Sequence, residues 1–334
     1  MEGRGGPSDS LTGVFFELGP FHRFDLSTRA LVMGAVPLGP TGIAEPAALS
    51  GSSAVRVRSE CARMAREGAD LLCLGRALAD PGSRPADDGH DGHDALAEVL
   101  AAVANETGLP VAVEGVRPGE MAAVLEAGAA LIAPVGDVDW VTTAALLARY
   151  RAAIVLRGAD DGGDRPGVAL SRVADALAAG VAPASLLLRL PADAGGVSRL
   201  DGCAAAAGSG LPVLVVAEPV GGSVGSGSGA RFEGGAAGIP AACSGAPPSG
   251  GQPGAAHRDD LHRDDRQRDD VLRDDLLARA AVAVSAGARV VQCREVAGVR
   301  RVVDVLAAVL AARAGGPWDP AGPSPTSPGG SASS

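Results

Sequence analysis

Short apolar runs alternate with longer segments of helical period along most of the chain, from residue 31 onward. Runs of four to six residues rich in Val, Leu and Ala, bounded by turn residues, predict buried strands. Eight runs have this character: 31–36, 70–75, 110–114, 130–135, 153–156, 185–190, 212–217 and 289–293. Each precedes a segment that we interpret as a helix: 53–67, 94–107, 118–127, 139–150, 168–179, 197–207, about 271–286 and 296–313. Repeated strand-then-helix units predict a parallel sheet of the α/β class.

Glycine stands between several predicted helices and the next strand, where a left-handed helix cap favours it. The glycines in this position are Gly68, Gly108, Gly128, Gly180 and Gly287. Eight units favour closure into a (β/α)8 TIM barrel, because a closed sheet leaves no edge to protect. A Rossmann-like open sheet is the alternative, but no Gly-x-Gly-x-x-Gly turn follows the first barrel strand.

Three parts of the chain fall outside this repeat. Residues 1–26 form an N-terminal segment, and we predict a short hairpin within it at 14–26. Residues 27–313 form the predicted TIM barrel. A long insertion at about 220–270, between strand 7 and helix 7, begins as a Gly/Ser/Ala/Pro tract. Such a tract predicts disorder, because it has too little apolar surface to offset its chain entropy. The tail, residues 314–334, is also predicted to be disordered.

The insertion ends in a repeat in which Arg-Asp-Asp recurs every five residues, starting at Arg258, Arg263, Arg268 and Arg273. A five-residue period matches neither a helix nor a strand. Pairs such as Asp259 and Arg263 nevertheless have the i,i+4 spacing that would extend helix 7 backwards. We favour the interpretation as a solvated low-complexity run.

The composition and charge of the chain limit the classes of partner that it can bind. Aromatic residues make up 2% of the chain, so the core must be built from small and branched aliphatic side chains. The chain has no lysine, all 29 basic residues are arginine, and the net charge is −10, which argues against nucleic acid and anionic membranes. No apolar run is long enough to span a membrane, and the first ten residues lack the apolar stretch of a signal peptide. We therefore expect a cytoplasmic protein with small-molecule or protein partners.

Residues that commonly bind metals are present but not in convincing patterns. The five cysteines are scattered without paired spacing, which argues against both a disulfide framework and a zinc site; they are Cys61, Cys73, Cys203, Cys243 and Cys293. The run from Asp87 to Asp94, with His90 and His93, carries metal-ligand types at close spacing. Its glycines favour a solvated loop with Asp94 near a helix N-cap. We predict no metal site.

Several sequence pieces recur in an order known from one enzyme family. The pieces are Phe24-Asp25-Leu26-Ser27 leading into Leu31-Val32-Met33-Gly34, then Glu67-Gly68-Ala69-Asp70, Pro81-Gly82, Leu125-Glu126-Ala127-Gly128-Ala129, and Ala178-Ala179-Gly180-Val181-Ala182-Pro183. Together they resemble the dihydropteroate synthases, over about residues 24–313 apart from the insertion. Each piece alone is a generic strand–helix joint, so the resemblance rests on the ordered series.

The resemblance implies a TIM-barrel transferase of folate biosynthesis that forms a homodimer. Its reaction condenses a pterin pyrophosphate with p-aminobenzoate, with magnesium neutralising the departing diphosphate. Buried carboxylates grip the pterin, because its guanidine-like edge presents donors that a carboxylate accepts in bidentate fashion. Cationic or amide donors are needed for the diphosphate.

This chain departs from the family at the positions that serve the metal, the diphosphate and the aminobenzoate. The family's Asn for metal and diphosphate is Pro37 here, which offers no ligand, so no magnesium cofactor is expected. The Ser-Thr-Arg-Pro segment of the second loop is Leu78-Ala79-Asp80-Pro81. The Ser-Arg-Lys of strand 7 is Glu218-Pro219-Val220, and the Arg-x-His-Asp of strand 8 is Gln292-Cys293-Arg294-Glu295.

The pterin pocket changes as well. By the resemblance, its positions are Glu114, Ala133, Arg189 and Glu218. Glu114 keeps a carboxylate where the family has Asp, and Ala133-Pro134 replaces an Asn-Asp pair. Arg189 replaces the pterin-binding Asp of strand 6, a charge reversal that would set two donors against each other. We assign no catalytic residue.

Arginines also follow or end several barrel strands: Arg76, Arg157, Arg189 and Arg294. They could bind a phosphorylated or carboxylated metabolite, since planar guanidinium groups suit such oxygens. Alternatively, they pair with Glu114, Glu218 and Glu295 as a salt-bridge network without a catalytic task, which we favour.

Three functions remain open at this stage. The preferred one is a dihydropteroate synthase-like protein without the condensation, acting as a binding or regulatory homologue. The alternatives are an active, divergent dihydropteroate synthase and a repurposed barrel that binds an anionic metabolite. Losing one electrostatic contact commonly costs ~3 kcal/mol of transition-state stabilisation, and here most are replaced together.

Overall fold

Eight parallel strands form a closed barrel in the computed structural model, which describes residues 15–38, 51–75, 91–157, 166–190, 203, 207–208, 210–217 and 255–313. The strands are β3 (Leu31–Pro37), β4 (Leu71–Gly75), β5 (Val111–Val116), β6 (Leu131–Pro134), β7 (Ala153–Arg157), β8 (Leu186–Leu190), β9 (Val213–Val216) and β10 (Val290–Cys293). Neighbours in the chain are neighbours in the sheet, and β10 pairs with β3. The barrel and all eight predicted strands are confirmed, and the open-sheet alternative is wrong.

Helices follow the strands in the alternating order that the sequence predicts. They are α1 (Gly51–Arg66), α2 (Asp91–Thr107), α3 (Met121–Glu126), α4 (Trp140–Tyr150), α5 (Pro166–Ala178), α6 (Ala255–Ser285) and α7 (Val296–Arg313). The helix predicted at 118–127 divides into a 3-10 turn, Pro118–Glu120, followed by α3. Most of the helix predicted at 197–207 lies outside the described residues.

A two-stranded antiparallel hairpin precedes the barrel, as predicted for residues 14–26. Its strands are β1 (Phe15–Leu18) and β2 (His22–Asp25). Phe16, Leu18 and Phe24 from the hairpin pack in one buried cluster with the inward-facing side chains of the barrel strands. The strand β1 also contacts the 3-10 turn Pro183–Ser185, which leads into β8. The hairpin therefore covers the end of the barrel where the strands begin.

Side chains alternate along each barrel strand between this interior cluster and an outer cluster beneath the helices. On β5, Ala112 faces the interior and Val113 faces the outer layer. The outer layer is built from Val, Leu, Ile and Ala with few aromatic residues, as the composition predicts. The same alternation fixes which residues reach the interior near the carboxyl ends of the strands.

The predicted cap glycines all adopt a left-handed backbone. Gly68, Gly108, Gly128, Gly180 and Gly287 have φ values from 67° to 103°. The corresponding position after α4 holds Arg151, with φ 52°. Among the described residues it is the only non-glycine with positive φ, so a long cation stands where the fold otherwise uses glycine.

The chain divides into two compact units, Met1–Glu218 with Leu276–Ser334, and Pro219–Asp275. The expectation that the helix before β10 starts near residue 271 is wrong, because α6 begins at Ala255. The Arg-Asp-Asp repeat lies in this helix, so the alternative in which the repeat extends the helix backwards is correct. The rest of the predicted disordered insertion, 220–254, and the tail, 314–334, lie outside the described residues.

No helix in the described part of the chain is long and apolar enough to cross a membrane. The cysteines within it, Cys61, Cys73, Cys203 and Cys293, are free and buried. Burial raises the pKa of the Cys61 thiol to about 12, so this side chain behaves as a small hydrophobic residue.

Candidate functional site

Four polar side chains meet inside the barrel near the carboxyl ends of the strands. Glu114 is the fourth residue of β5, Arg157 ends β7, Arg189 is the fourth residue of β8, and Gln292 is the third residue of β10. Strand alternation turns each of them inward, because Ala112, Val155, Leu187 and Val290, two positions earlier, belong to the interior cluster. In a TIM barrel this end carries the active site.

Glu114 is the centre of the group and is 3% exposed. Arg189 Nη1 donates a hydrogen bond to Glu114 Oε1, and Arg157 Nη1 lies 3.8 Å from the same oxygen. Gln292 Nε2 donates to Glu114 Oε2 at 3.2 Å, and Cys73 Sγ lies 3.9 Å from that oxygen. A carboxylate has about four acceptor positions. The side chains of the barrel therefore use the acceptor capacity of Glu114 almost completely.

Gly75, the last residue of β4, makes room for this arrangement. It pairs with Glu114 across the strands, and a Cβ atom on Gly75 would lie 2.7 Å from Glu114 Cβ. Ala133, on the other side of Glu114, is also small. The two neighbouring strands thus carry small residues where Glu114 crosses the interior.

Among the described residues, two arginine side chains approach the carboxylate at the centre of the group. Two guanidinium groups, of Arg157 and Arg189, face the single carboxylate of Glu114. The Arg189 side chain is 6% exposed and the Arg157 side chain 19% exposed. Arg157, at the end of β7, is therefore the more accessible of the two cations.

The strand residues around Glu114 enclose a cavity of about 10 Å³. It is lined by Glu114, Arg189 and Gln292 together with apolar side chains of the interior. A cavity of this volume holds about one water molecule. The Glu114–Arg189 pair thus fills the space between β5 and β8.

Among the residues that the resemblance assigns to the pterin pocket, Glu114, Ala133 and Arg189 lie together. Of the four arginines predicted at the strand ends, Arg157 and Arg189 belong to this group. Arg294 instead lies after β10 and is exposed. Its backbone carbonyl accepts a hydrogen bond from Arg63 Nη2 at 3.5 Å. Arg76 and Glu218 lie outside the described residues.

Gln292 and Cys73 were not predicted as site residues, although both contact Glu114. A signal was present in the sequence, since Gln292 is a polar residue two positions after the inward Val290 of a predicted strand. Gln292 Nε2 also lies 3.8 Å from Cys73 Sγ. Polar side chains of β4 and β10 therefore surround Glu114 on the side of its Oε2 atom.

The residues at the expected magnesium position do not fit that ion. Pro37 closes β3 with an exposed side chain that has no oxygen or nitrogen to offer. In the run from Asp87 to Asp94, residues 87–90 lie outside the described residues and α2 begins at Asp91. Asp94 is therefore within the first turn and not at the N-cap. Within the described ranges, no three His, Cys, Asp or Glu residues cluster as a metal site.

The sequence matches no protein-family profile and no curated protein. The fold, in contrast, is shared with solved dihydropteroate synthases. The Xanthomonas albilineans enzyme with 4-aminobenzoic acid has a TM-score of 0.60 at 20% identity, covering 88% of this chain and 99% of that chain. The Coxiella burnetii enzyme in complex with pteroic acid has a TM-score of 0.56 at 16% identity, covering 88% and 98%.

The dihydropteroate synthase of Thermus thermophilus gives a similar result, with a TM-score of 0.57 at 20% identity and coverage of 88% of this chain and 99% of that chain. Nearly the whole length of each of these enzymes is matched. The barrel with its N-terminal hairpin therefore has the dihydropteroate synthase fold, as the sequence resemblance predicts.

Proposed function

We propose that this chain is a dihydropteroate synthase-like barrel that does not carry out the family's condensation and acts instead as a binding or regulatory protein. One observation carries the proposal. The carboxylate that the resemblance assigns to the pterin, Glu114, already accepts from Arg189 and Gln292 and lies close to Arg157 and Cys73.

A pterin would have to displace Arg189 from Glu114 before its own donors could bind there. Removing one partner of a buried ion pair leaves an uncompensated charge and costs about 3–5 kcal/mol. The cavity that the described residues enclose beside Glu114, about 10 Å³, is itself too small for a pterin ring. Pterin binding in the family's manner is therefore strongly disfavoured.

The positions around Glu114 supply no replacement chemistry. Ala133 is apolar, Pro37 cannot hold a metal, and Arg189 has the charge opposite to the one that a pterin edge requires. Each lost electrostatic contact typically lowers the rate by a factor of about 10²–10³. The combined replacements leave no route by which these residues would stabilise the transition state.

A small anion is the second candidate ligand of this end of the barrel. The guanidinium groups of Arg157 and Arg189 beside Glu114 support it, since guanidinium groups bind carboxylate and phosphate oxygens in a planar fork. Arg157 would make the first contact, because its side chain is the more exposed of the two.

The proposal includes a homodimer in the cytoplasm. The last helix, α7, exposes Val305, Val309 and Leu310, and a second copy of the chain would cover them. The free cysteines in the described ranges suit a reducing compartment.

The test is a product assay of the purified full-length chain with a pterin pyrophosphate, p-aminobenzoate and magnesium. We expect no product above the protein-free control, and stabilisation by inorganic phosphate that the Arg157→Ala variant loses. Product formation that disappears in the Glu114→Gln variant would overturn the proposal and establish a divergent synthase.

A further inference from the structure

A cavity of about 550 Å³ lies at the end of the barrel opposite to Glu114. The turn of the hairpin forms one wall, through Pro20 and Phe21, and the end of α4 forms another, through Leu147 and Arg151. The segment between α5 and β8 completes it with Gly180 to Ala182 and Ser185. This volume is in the range of small-molecule sites.

The half-open cavity is lined by apolar side chains together with nearly as much polar surface. Phe21 has a side chain that is 69% exposed, an unusual position for an aromatic residue in a chain with 2% aromatic content. Leu147 and Val181 supply a buried apolar floor, and Ser185 adds a hydroxyl group. Such a surface suits a flat apolar group with one polar substituent.

The net charge of the lining is positive. Arg23 is paired with Glu17 at 3.6 Å and lies over the ring of Phe15, so these two charges balance. Burial lowers the pKa of His22, which keeps the imidazole neutral near pH 7. Arg151 has no ion-pair partner among the described residues and supplies the remaining charge.

Arg151 also occupies a strained backbone position. It has φ 52° at the joint after α4, where the equivalent joints after α1, α2, α3, α5 and α6 have glycine. A left-handed backbone is unfavourable for a residue with a Cβ atom. The long cation of Arg151 therefore stands on a backbone position that glycine would occupy with less strain, a feature that is typical of functional sites.

We propose that this cavity binds a small organic anion, a carboxylate or phosphate ester on a flat apolar group, with Arg151 as its cation and Phe21 as its apolar contact. The site is at the hairpin end of the barrel and is separate from the Glu114 group, so it does not depend on the function proposed above. A charge-assisted hydrogen bond in this half-open site would discriminate anions from neutral analogues by about tenfold or more.

The first measurement is isothermal titration calorimetry of the full-length chain with benzoate, phenyl phosphate and benzyl alcohol, with inorganic phosphate as the probe without an apolar group. We expect saturable binding of benzoate or phenyl phosphate, and binding of benzyl alcohol weaker by tenfold or more. Equal binding of benzoate and benzyl alcohol, or no saturable binding of either aromatic anion at millimolar concentration, would overturn the proposal.

The second measurement uses variants that separate charge from folding. Arg151→Gly removes the cation and supplies the residue that suits φ 52°, so it should fold at least as stably as the wild type. We expect it to lose anion binding by tenfold or more, and Arg151→Lys to retain most of it. Phe21→Ala should weaken the aromatic anions without changing the response to inorganic phosphate.

Two controls locate the bound anion. Arg149→Ala removes an arginine of the same helix that does not line the cavity, and it should bind as the wild type does. Arg157→Ala removes the arginine at the end of β7 and identifies any anion that binds at the Glu114 end instead. Binding that survives Arg151→Gly but is lost in Arg157→Ala would place the anion at the Glu114 end and contradict this inference.

Discussion

Glu114 and Arg189 form a charged pair that is almost completely buried, at 3% and 5% exposure. Arg189→Met should lower the free energy of unfolding by about 3–5 kcal/mol, because it leaves a buried carboxylate with too few partners. The double variant with Glu114→Gln lacks the buried negative charge. Its loss in free energy of unfolding should be clearly smaller than the sum of the losses in the two single variants. Urea denaturation of the three variants measures this coupling.

The matched control for that cycle is the half-exposed helical pair Glu60 and Arg63, whose side chains are 38% and 35% exposed. The variants Glu60→Gln and Arg63→Met should each change the free energy of unfolding by less than about 1 kcal/mol. Additive effects at Glu114 and Arg189, like those expected at the surface pair, would contradict the central role of the buried pair.

Gly75 is required because of Glu114 and not because of its own backbone. In the Gly75→Ala variant the new methyl group would lie 2.7 Å from Glu114 Cβ, both of them on paired strands that cannot move far. We expect a loss of about 1–3 kcal/mol, measured as a lower Tm. Gly119→Ala is the control, since nothing lies within 4 Å of its Cβ position. Equal Tm values for the two variants would rule out the steric role.

For single residues, the sequence predicts which side chains reach the carboxyl end of the barrel but not which of them contact one another. Glu114 and Arg189 can be found because each comes near the end of a predicted strand. Their contact depends on barrel closure, which brings together positions 75 residues apart. Gln292 belongs to the same contact from 178 residues away, and no local pattern links it to Glu114.

Among the elements, the hairpin shows how a short segment covers the end of the barrel where the strands begin. His22 on β2 is partly buried with its ring stacked at 6.4 Å from that of Phe24, and burial lowers the pKa of His22. The unfolded state therefore binds a proton more readily than the folded state. The stability contribution is complete above the unfolded pKa, about 6.5, and is lost as the pH falls from there through the lower folded pKa.

We therefore expect the free energy of unfolding to decrease between about pH 7.5 and pH 5.5, a window above the range in which exposed carboxylates titrate. The His22→Gln variant should show a smaller decrease over the same window. Urea denaturation at the two pH values gives both numbers. Identical pH dependence of the variant and the wild type would contradict the assignment to His22.

Helix α6 shows that the spacing of apolar residues alone does not predict where a helix begins. Apolar residues recur at helical spacing only in its last part, from about Leu276, and this is the part that the sequence predicts. The preceding Arg-Asp-Asp repeat has a period of five and no apolar stripe. Helix formation there is favoured by i,i+4 acid–base spacing, which hydrophobic patterning does not detect.

For the whole molecule, the exposed valines of α7 predict self-association. Val305 and Val309 are 62% and 43% exposed and lie one turn apart on a helix that covers the barrel. Light scattering coupled to size exclusion should give twice the chain mass for the wild type, and the chain mass for Val305→Glu, because a charge would be buried in the interface.

The control for the dimer is Val141→Glu on α4, which changes an exposed valine at 73% exposure to the same charged residue. It should fold, since an acidic residue in the first turn of a helix is favourable, and it should remain a dimer because Val141 lies on α4 and not on α7. A monomeric wild type, or a Val305→Glu variant that stays dimeric, would contradict an interface through α7.

The arrangement of the whole barrel follows from the sequence more completely than its site does. Eight buried apolar runs, separated by helical segments of which several end at glycine, allow few folds other than a (β/α)8 barrel. Its function depends on a few side chains at the strand ends, where Pro37, Arg189 and Ala133 replace the residues that the resemblance leads one to expect. The fold alone therefore does not fix the activity of this chain.

The most direct test of this account is calorimetric titration of a dihydropterin into the wild-type protein, with the Glu114→Gln variant as the control. Because Arg189 and Gln292 already occupy Glu114, we predict no saturable binding to the wild type and no difference from the variant. Saturable binding to the wild type that Glu114→Gln abolishes would show that Glu114 is available to a pterin and would contradict the account.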